Sequence, residues 1–190
     1  MNIEIAIQDS IEVKKMILED HHILYTIEEV ALLAADILTN KGRILLCGNG
    51  GSASDAQHIA AELSGRFATE REPLDAEALH VNSSYMTAVA NDYSFDEVYA
   101  RLIRAKGRKG DMLVAISTSG NSKNILKAIE AAHGCEVVVV GLTGETGGKM
   151  NEMCDYMIKV PSKETPRIQE AHIMLGHIFC QVIEEKLFGD

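Results

Sequence analysis

From Ile3 to Leu38 apolar residues return every three or four positions: Ile7, Ile11, Met16 with Ile17, Ile23, Ile27, Val30, Leu33 with Ala34, and Ile37, with Glu and Lys between them. This period predicts two helices broken near Asp20 to Ile23. The pair carries apolar residues on more than one face. It therefore has surface for a partner subunit as well as for its own sheet, and an oligomer is expected.

After Asn40-Lys41-Gly42, a helix stop with Gly to reverse the chain, the pattern changes to short apolar runs. Arg43 to Cys47 ends in Gly-Asn-Gly-Gly-Ser and reads as a buried strand. The same grammar returns at Met112 to Ile116, followed by Ser-Thr-Ser-Gly-Asn-Ser, and at Val137 to Leu142, followed by Thr-Gly-Glu-Thr-Gly-Gly. Weaker strands are expected at Ala78 to Val81 and Tyr156 to Val160, and a long amphipathic helix over Arg167 to Leu187. Strands alternating with helices imply βαβ crossovers and a parallel sheet covered on both faces. The expected architecture is one α/β domain over residues 1–190, a three-layer α/β/α sandwich with a central parallel sheet. Residues 1–40 form a helical N-terminal extension packing on partner subunits. Ligands of such sheets bind at the carboxyl ends of the strands.

The chain has 190 residues and a formal charge of -10, from 28 acids against 18 Lys plus Arg. That length suits one domain with a core that needs no disulfide or structural metal. The acidic balance offers no footprint for nucleic acid, and the clustered Arg101, Arg104, Lys106, Arg108 and Lys109 have acids nearby. Cys47, Cys135, Cys154 and Cys180 form no Cys-x-x-Cys pair, which excludes a zinc finger and fits reduced thiols. The N-terminus has neither a signal h-region nor a transit-peptide pattern. The longest apolar runs fall far short of the ~20 residues of a membrane span. A cytoplasmic protein without membrane contact is expected.

Two loops could hold an anion. Ser117-Thr118-Ser119-Gly120-Asn121-Ser122 places hydroxyls between a strand and a helix beginning near Lys123. Hydroxyls and unpaired amides at a helix N-terminus make a phosphate cradle, because the macrodipole there favours negative charge. Alternatively Ser122 is an ordinary N-cap. The first loop, Gly48-Asn49-Gly50-Gly51-Ser52-Ala53, matches the weak dinucleotide pattern G-x-G-x-x-A. That motif needs an acid closing the second strand. Glu70, Glu72 and Asp75 instead precede the strand expected there, which favours a small phosphorylated ligand.

On the helix after the first loop, His58 and Glu62 stand four apart and share a face. They suit either metal ligation or acid–base work, and the same spacing also decorates solvated faces. The last helix carries Gln169, Glu170, His172 and His177 among apolar residues. Helical spacing aligns Glu170 with His177 to about 20° and Gln169 with His177 to about 80°, and does not choose between them. A His on such a helix is also a common satisfied core residue. Asn91-Asp92 equally reads as a polar pair ending a helix.

Taken in order, several of these motifs carry a resemblance. Cys47-Gly48-Asn49-Gly50-Gly51-Ser52, then Asp55, His58 and Glu62, Gly65-Arg66-Phe67, Ala90-Asn91-Asp92, Ile116 to Ser122, and Thr165-x-Arg167-Ile168-Gln169-Glu170-x-His172 resemble the sugar isomerase (SIS) domain of the sedoheptulose 7-phosphate isomerase family. The resemblance implies an aldose–ketose isomerase that converts sedoheptulose 7-phosphate to D-glycero-D-manno-heptose 7-phosphate, the first step of nucleotide-activated heptose synthesis for surface polysaccharide. It implies a homotetramer with active sites between subunits. The implied substrate contacts are Asn49, Gly50, Gly51, Ser52, Glu62, Asn91, Asp92, Ser117, Thr118, Ser119, Ser122 and Gln169. The implied acid–base pair is Glu62 and His177, and the implied zinc ligands are His58, Glu62, Gln169 and His177.

The chemistry of these residue types agrees. Moving a carbonyl between neighbouring carbons needs a base for the carbon proton and a group that shuttles the oxygen protons. A carboxylate suits the first, and an imidazole, which titrates near neutral pH when unperturbed, suits the second. Groups bound to a metal are not free acids and bases at the same moment. Either the metal polarises the carbonyl and leaves one carboxylate oxygen available, or its role is structural or inhibitory. A non-catalytic phosphosugar sensor or a replication-initiator-associated tetramer of the same fold would need the cradle or the tetramer surface but not the base. The joint presence of His58, Glu62, Gln169 and His177 favours the enzyme.

Overall fold

In the computed structural model, which describes residues 2–189, two helices precede the first strand. Helices α1 (Ile3–Glu19) and α2 (His21–Thr39) meet at Asp20, whose extended backbone ends the first while its carboxylate accepts from the His22 and Ile23 amides to start the second. One residue thus supplies the break that the periodicity places near Asp20 to Ile23.

The five strands are β1 (Ile44–Cys47), β2 (Ala76–Ala78), β3 (Met112–Ile116), β4 (Val138–Thr143) and β5 (Tyr156–Lys159). They form one parallel sheet in the order β2-β1-β3-β4-β5. Between them lie α3 (Gly51–Ser64), α4 (Ser83–Asp92), α5 (Val98–Lys106) and α6 (Lys123–Gly134), and α7 (Thr165–Phe188) closes the chain. The alternating strand residues sort into two cores. Ile44, Leu46, Met112, Val114 and Ile116 pack with α2, α3 and α7, while Leu45, Cys47, Leu113 and Ala115 pack with α5 and α6. The three layers are those expected for a parallel sheet buried on both faces.

The second strand lies earlier than expected, at Ala76–Ala78 instead of Ala78 to Val81. The register explains the shift: Ala76 pairs with Ile44 and Ala78 with Leu46, and the chain turns once Val81 N–H reaches the Ala78 carbonyl. This is an edge strand, so it tolerates Glu77, which pairs with Lys106 at 2.7 Å. The apolar run that suggested a strand further on supplies Leu79 to the core instead. Helix α3 begins at Gly51, three residues before the helical segment read from the sequence at Ser54.

The N-terminal helices differ in their surroundings. Helix α2 is part of its own core, burying Ile23, Ile27, Val30, Ala31, Ala34 and Ala35. Helix α1 buries only Val13 and Ile17 and leaves Ile3 74% and Leu18 69% exposed, with Ile5, Ile7, Ile11 and Met16 also in solvent.

Candidate active site

Strand order reverses direction between β1 and β3, since β2 follows β1 on one side and β4 follows β3 on the other. Right-handed crossovers then require α3 and α6 on opposite faces, and the two cores show this placement. The loops leaving β1 and β3 separate at that point and open a crevice at the carboxyl ends of the strands. These are the two loops singled out by their Gly and hydroxyl residues.

The loops are tied together by a reciprocal carboxamide pair. Asn49 Nδ2 donates to Asn124 Oδ1 at 2.9 Å, and Asn124 Nδ2 donates to Asn49 Oδ1 at 2.8 Å. Below them the buried Tyr99 hydroxyl donates to the Gly48 carbonyl. Sequence reasoning missed both braces. Asn124 carried a signal, being a weak helix former in the first turn of α6; Tyr99 carried none.

The helices that start at these loops lack side-chain caps. Asn2, Asp20 and Asn82 cap α1, α2 and α4, but Gly50 has no side chain to offer α3 and Ser122 makes no capping bond to α6. Ser122 Oγ instead lies 3.1 Å from Ser117 Oγ. The capping alternative for Ser122 is therefore not realised; the Ser52, Ala53 and Ile125 amides turn back on the Asn49, Gly50 and Ser122 carbonyls, and the Gly51, Lys123 and Asn124 amides are left for an anion. Ser119 Oγ accepts from the Asn121 amide at 3.2 Å. The third glycine-rich loop, after β4, braces the second: Gly144 N–H donates to the Thr118 carbonyl and Met150 N–H to the Gly120 carbonyl. Gly120 has φ +64 and its Cα faces the Gly147 carbonyl so closely that no side chain fits there.

One layer away, α3 and α7 bring together three of the singled-out residues. His58 Nε2 lies 3.0 Å from Glu62 Oε1 and 3.1 Å from His177 Nε2, and the donor atoms of all three fall within 4.8 Å of one another. Ser54, Gln57 and Ala61 complete the open depression around His58 and Glu62. The Phe67 ring stands 6.0 Å from that of His177. A single ring nitrogen has one in-plane direction, either a proton or a lone pair. His58 Nε2 therefore cannot both donate to Glu62 and accept from His177. A cation between the three donors would satisfy them together. Tetrahedral zinc with bonds near 2.0–2.1 Å places its ligand atoms about 3.3 Å apart, close to the two distances that His58 makes here, 3.0 and 3.1 Å. Two imidazoles and a carboxylate fit a divalent transition metal.

The structure also separates the residues on α7. Glu170 pairs with Arg167 at 2.5 Å. Gln169 instead lays its amide over Gly51, where a Cβ would overlap it. His172 is fully buried, with Nε2 at 3.1 Å from the Thr143 carbonyl, and burial lowers its pKa to about 4 against the opposing pull of that carbonyl. It is a core residue. Asp55, on α3, is raised by burial despite the opposing charge of His58. Asn91 and Asp92 lie exposed at the end of α4, where Asn91 Nδ2 donates to Asp92 Oδ1 at 2.8 Å, and neither bonds to the two loops.

Comparison with known proteins gives a consistent result. The SIS domain family matches residues 12–144. The phosphoheptose isomerase of Aneurinibacillus thermoaerophilus is 53% identical over 96% of this chain and 92% of its own. Phosphoheptose isomerase 2 of Campylobacter jejuni is 51% identical over 95% and 90%. Among solved structures, the phosphoheptose isomerase of Neisseria gonorrhoeae superposes with a TM-score of 0.91 at 43% identity, covering 96% of this chain and 97% of that one. That of Francisella tularensis gives 0.92 at 37% identity, covering 96% of each.

Proposed function

The chain belongs to the phosphoheptose isomerases of the SIS domain family, and from that premise we propose that Glu62 and His177 are the acid–base pair of a sedoheptulose 7-phosphate isomerase. The observation that carries the assignment is the convergence of His58, Glu62 and His177, with His58 two turns into the helix that starts without a side-chain cap at the first loop. The phosphate is held by the amides and hydroxyls of Asn49 to Ser52 and Ser117 to Ser122, so binding energy at the far end of the substrate orients the reacting end. Asn91, Asp92 and Gln169 complete the substrate contacts in this reading.

Glu62 removes the proton from C1 of the ketose, and the electron pair moves to give an enediolate. The same proton, or one exchanged with solvent, returns to C2. His177 carries the hydroxyl proton between O2 and O1, so that the carbonyl finishes at C1 with no net change in oxidation. Glu62 Oε1 faces His58, while its second oxygen makes no hydrogen bond among the described residues and is available to the carbon proton. His58, Glu62 and His177 would hold a Zn2+, with Gln169 as fourth ligand, and the ion would supply polarisation of the substrate oxygens.

We read the assembly as a homotetramer whose subunits meet through α1; the exposed isoleucines of that helix support this. The free state of all four cysteines supports a reducing, cytoplasmic setting, and among the described residues no helix is long and apolar enough to cross a membrane. A non-catalytic sensor would need the cradle alone; relatives that are isomerases over almost the whole chain do not favour that reading.

The test is proton NMR of the purified protein with sedoheptulose 7-phosphate in D2O, with added zinc and again with chelator. Aldose signals with deuterium at C2 are expected, lost on chelation. Binding without turnover under both conditions would overturn the catalytic reading.

A further inference from the structure

Nine residues beyond Glu62 lies the most heavily bonded side chain among those described. Arg71, in the strap between α3 and β2, is 2% exposed in its side chain, and Glu184, on α7, is 7% exposed. Arg71 Nε donates to Glu184 Oε2 at 3.1 Å. Its other nitrogens reach back to the end of α3: Nη2 donates to the Glu62 carbonyl at 2.8 Å, and Nη1 to the carbonyls of Leu63 at 2.8 Å and Gly65 at 3.1 Å. Glu184 also accepts from the amides of Ala68 and Thr69 at 2.9 Å and of Phe67 at 3.3 Å. Burial alone would raise this carboxyl, but those amides and the guanidinium hold it down to about 2.

The network joins the backbone of one reacting residue to the helix of the other. The last carbonyls of α3 have no intrahelical partner, and the guanidinium fork binds those of Glu62 and Leu63 and that of Gly65 just beyond the helix, while its charge sits at the negative end of the helix dipole. Glu184 follows His177 by two helical turns and so faces the same side of α7. The strap between them presses Phe67 toward the His177 ring. A buried ion pair adds little net stability over an apolar pair of the same size, because desolvation offsets the attraction. What it adds is a fixed geometry.

We infer that Arg71 and Glu184 are positioning residues for the isomerase reaction, locking the Glu62 end of α3 to the His177 face of α7. The inference rests on the acid–base reading of Glu62 and His177. A displacement of about 1 Å at a reacting group costs up to ~10²-fold in rate. The phosphate loops leave β1 and β3 and make no hydrogen bond to the strap, so substrate anchoring is independent of the lock.

The test is steady-state kinetics of Glu184→Gln, which keeps the shape and removes the charge, beside Arg71→Lys, which keeps the charge and removes the fork. Glu62→Gln serves as a parallel reference. Each variant is measured below its own melting transition. Expected is a fall of tenfold or more in kcat with KM within twofold, in both variants. A kcat within twofold of the parent in a folded variant overturns the inference, as does a parallel loss of kcat and of affinity for the substrate. If Glu62→Gln itself turns over normally, the acid–base reading has failed instead. Should Glu184→Gln not fold, Arg71→Lys decides alone.

Discussion

Ile59 occupies the space that a side chain on Gly176 would need: a Cβ built there falls 2.5 Å from Ile59 Cδ1. The next residues along the two helices, His58 and His177, bring their Nε2 atoms to 3.1 Å. Close approach of α3 and α7 through a missing side chain therefore sets the spacing of the donor cluster. Gly176→Ala overpacks this contact. A loss of about 1–3 kcal/mol in urea unfolding is expected, and, on the metal reading proposed above, weaker retention of Zn2+ in equilibrium dialysis. Unchanged metal affinity would mean that the helices absorb the methyl without moving the imidazoles.

On the proposed acid–base reading, removing Glu62 or His177 separates binding from chemistry. Glu62→Gln and His177→Gln are each expected to lower turnover by roughly 10²- to 10⁴-fold, the usual contribution of general acid–base catalysis. Calorimetry with the phosphate ester should still show binding, because the loops are intact. A near-normal rate in either variant would remove that residue from the mechanism.

Gly51 and Gln169 provide a milder probe. A methyl at Gly51 would meet the end of a flexible side chain, and Ala is well tolerated in the first turn of a helix. Gly51→Ala should therefore melt within about 2 °C of the parent while Gln169 swings away. A fall in kcat/KM beyond tenfold with that small thermal change, matched by Gln169→Ala, would place Gln169 in the working site. Full activity would leave it a packing residue.

His172 predicts a pH dependence of stability. Its folded value of about 4 lies below the ordinary imidazole value of 6.5, so between these the unfolded chain binds a proton that the folded chain does not. Stability is thus full above about pH 6.5 and falls as pH drops toward 4, by about 3 kcal/mol in total. Urea titrations at several pH values should show this slope in the parent and lose it in His172→Gln. An identical slope in both would assign the effect to other groups.

The sequence was most legible where one residue type does one job. The helix break was legible from the change in apolar spacing, and Asp20 proves to be both its stop and its start. Strands β1, β3 and β4 were legible because each is buried on both faces and so reads as an unbroken apolar run. Strand β2 was misplaced because an edge strand admits Glu77, and a neighbouring apolar run outscored it. At the site, spacing put His58 and Glu62 on one face, but local periodicity could not choose between Gln169 and Glu170. That choice depends on Gly51, which meets Gln169 only in the folded chain, while Glu170 pairs with Arg167 one turn earlier on α7. Arg71 and Glu184 were invisible for the same reason, being 113 positions apart.

His58 and His177 stand 119 positions apart, and every strand of the sheet precedes α7 in the chain. Synthesis therefore delivers both anion loops well before it delivers the second imidazole. A ribosome-bound chain that ends at β5 carries both loops proposed to grip a phosphate and lacks His177, one of the pair proposed to move a proton. On the acid–base reading proposed for Glu62 and His177, turnover therefore waits on the docking of α7, whereas anion binding does not.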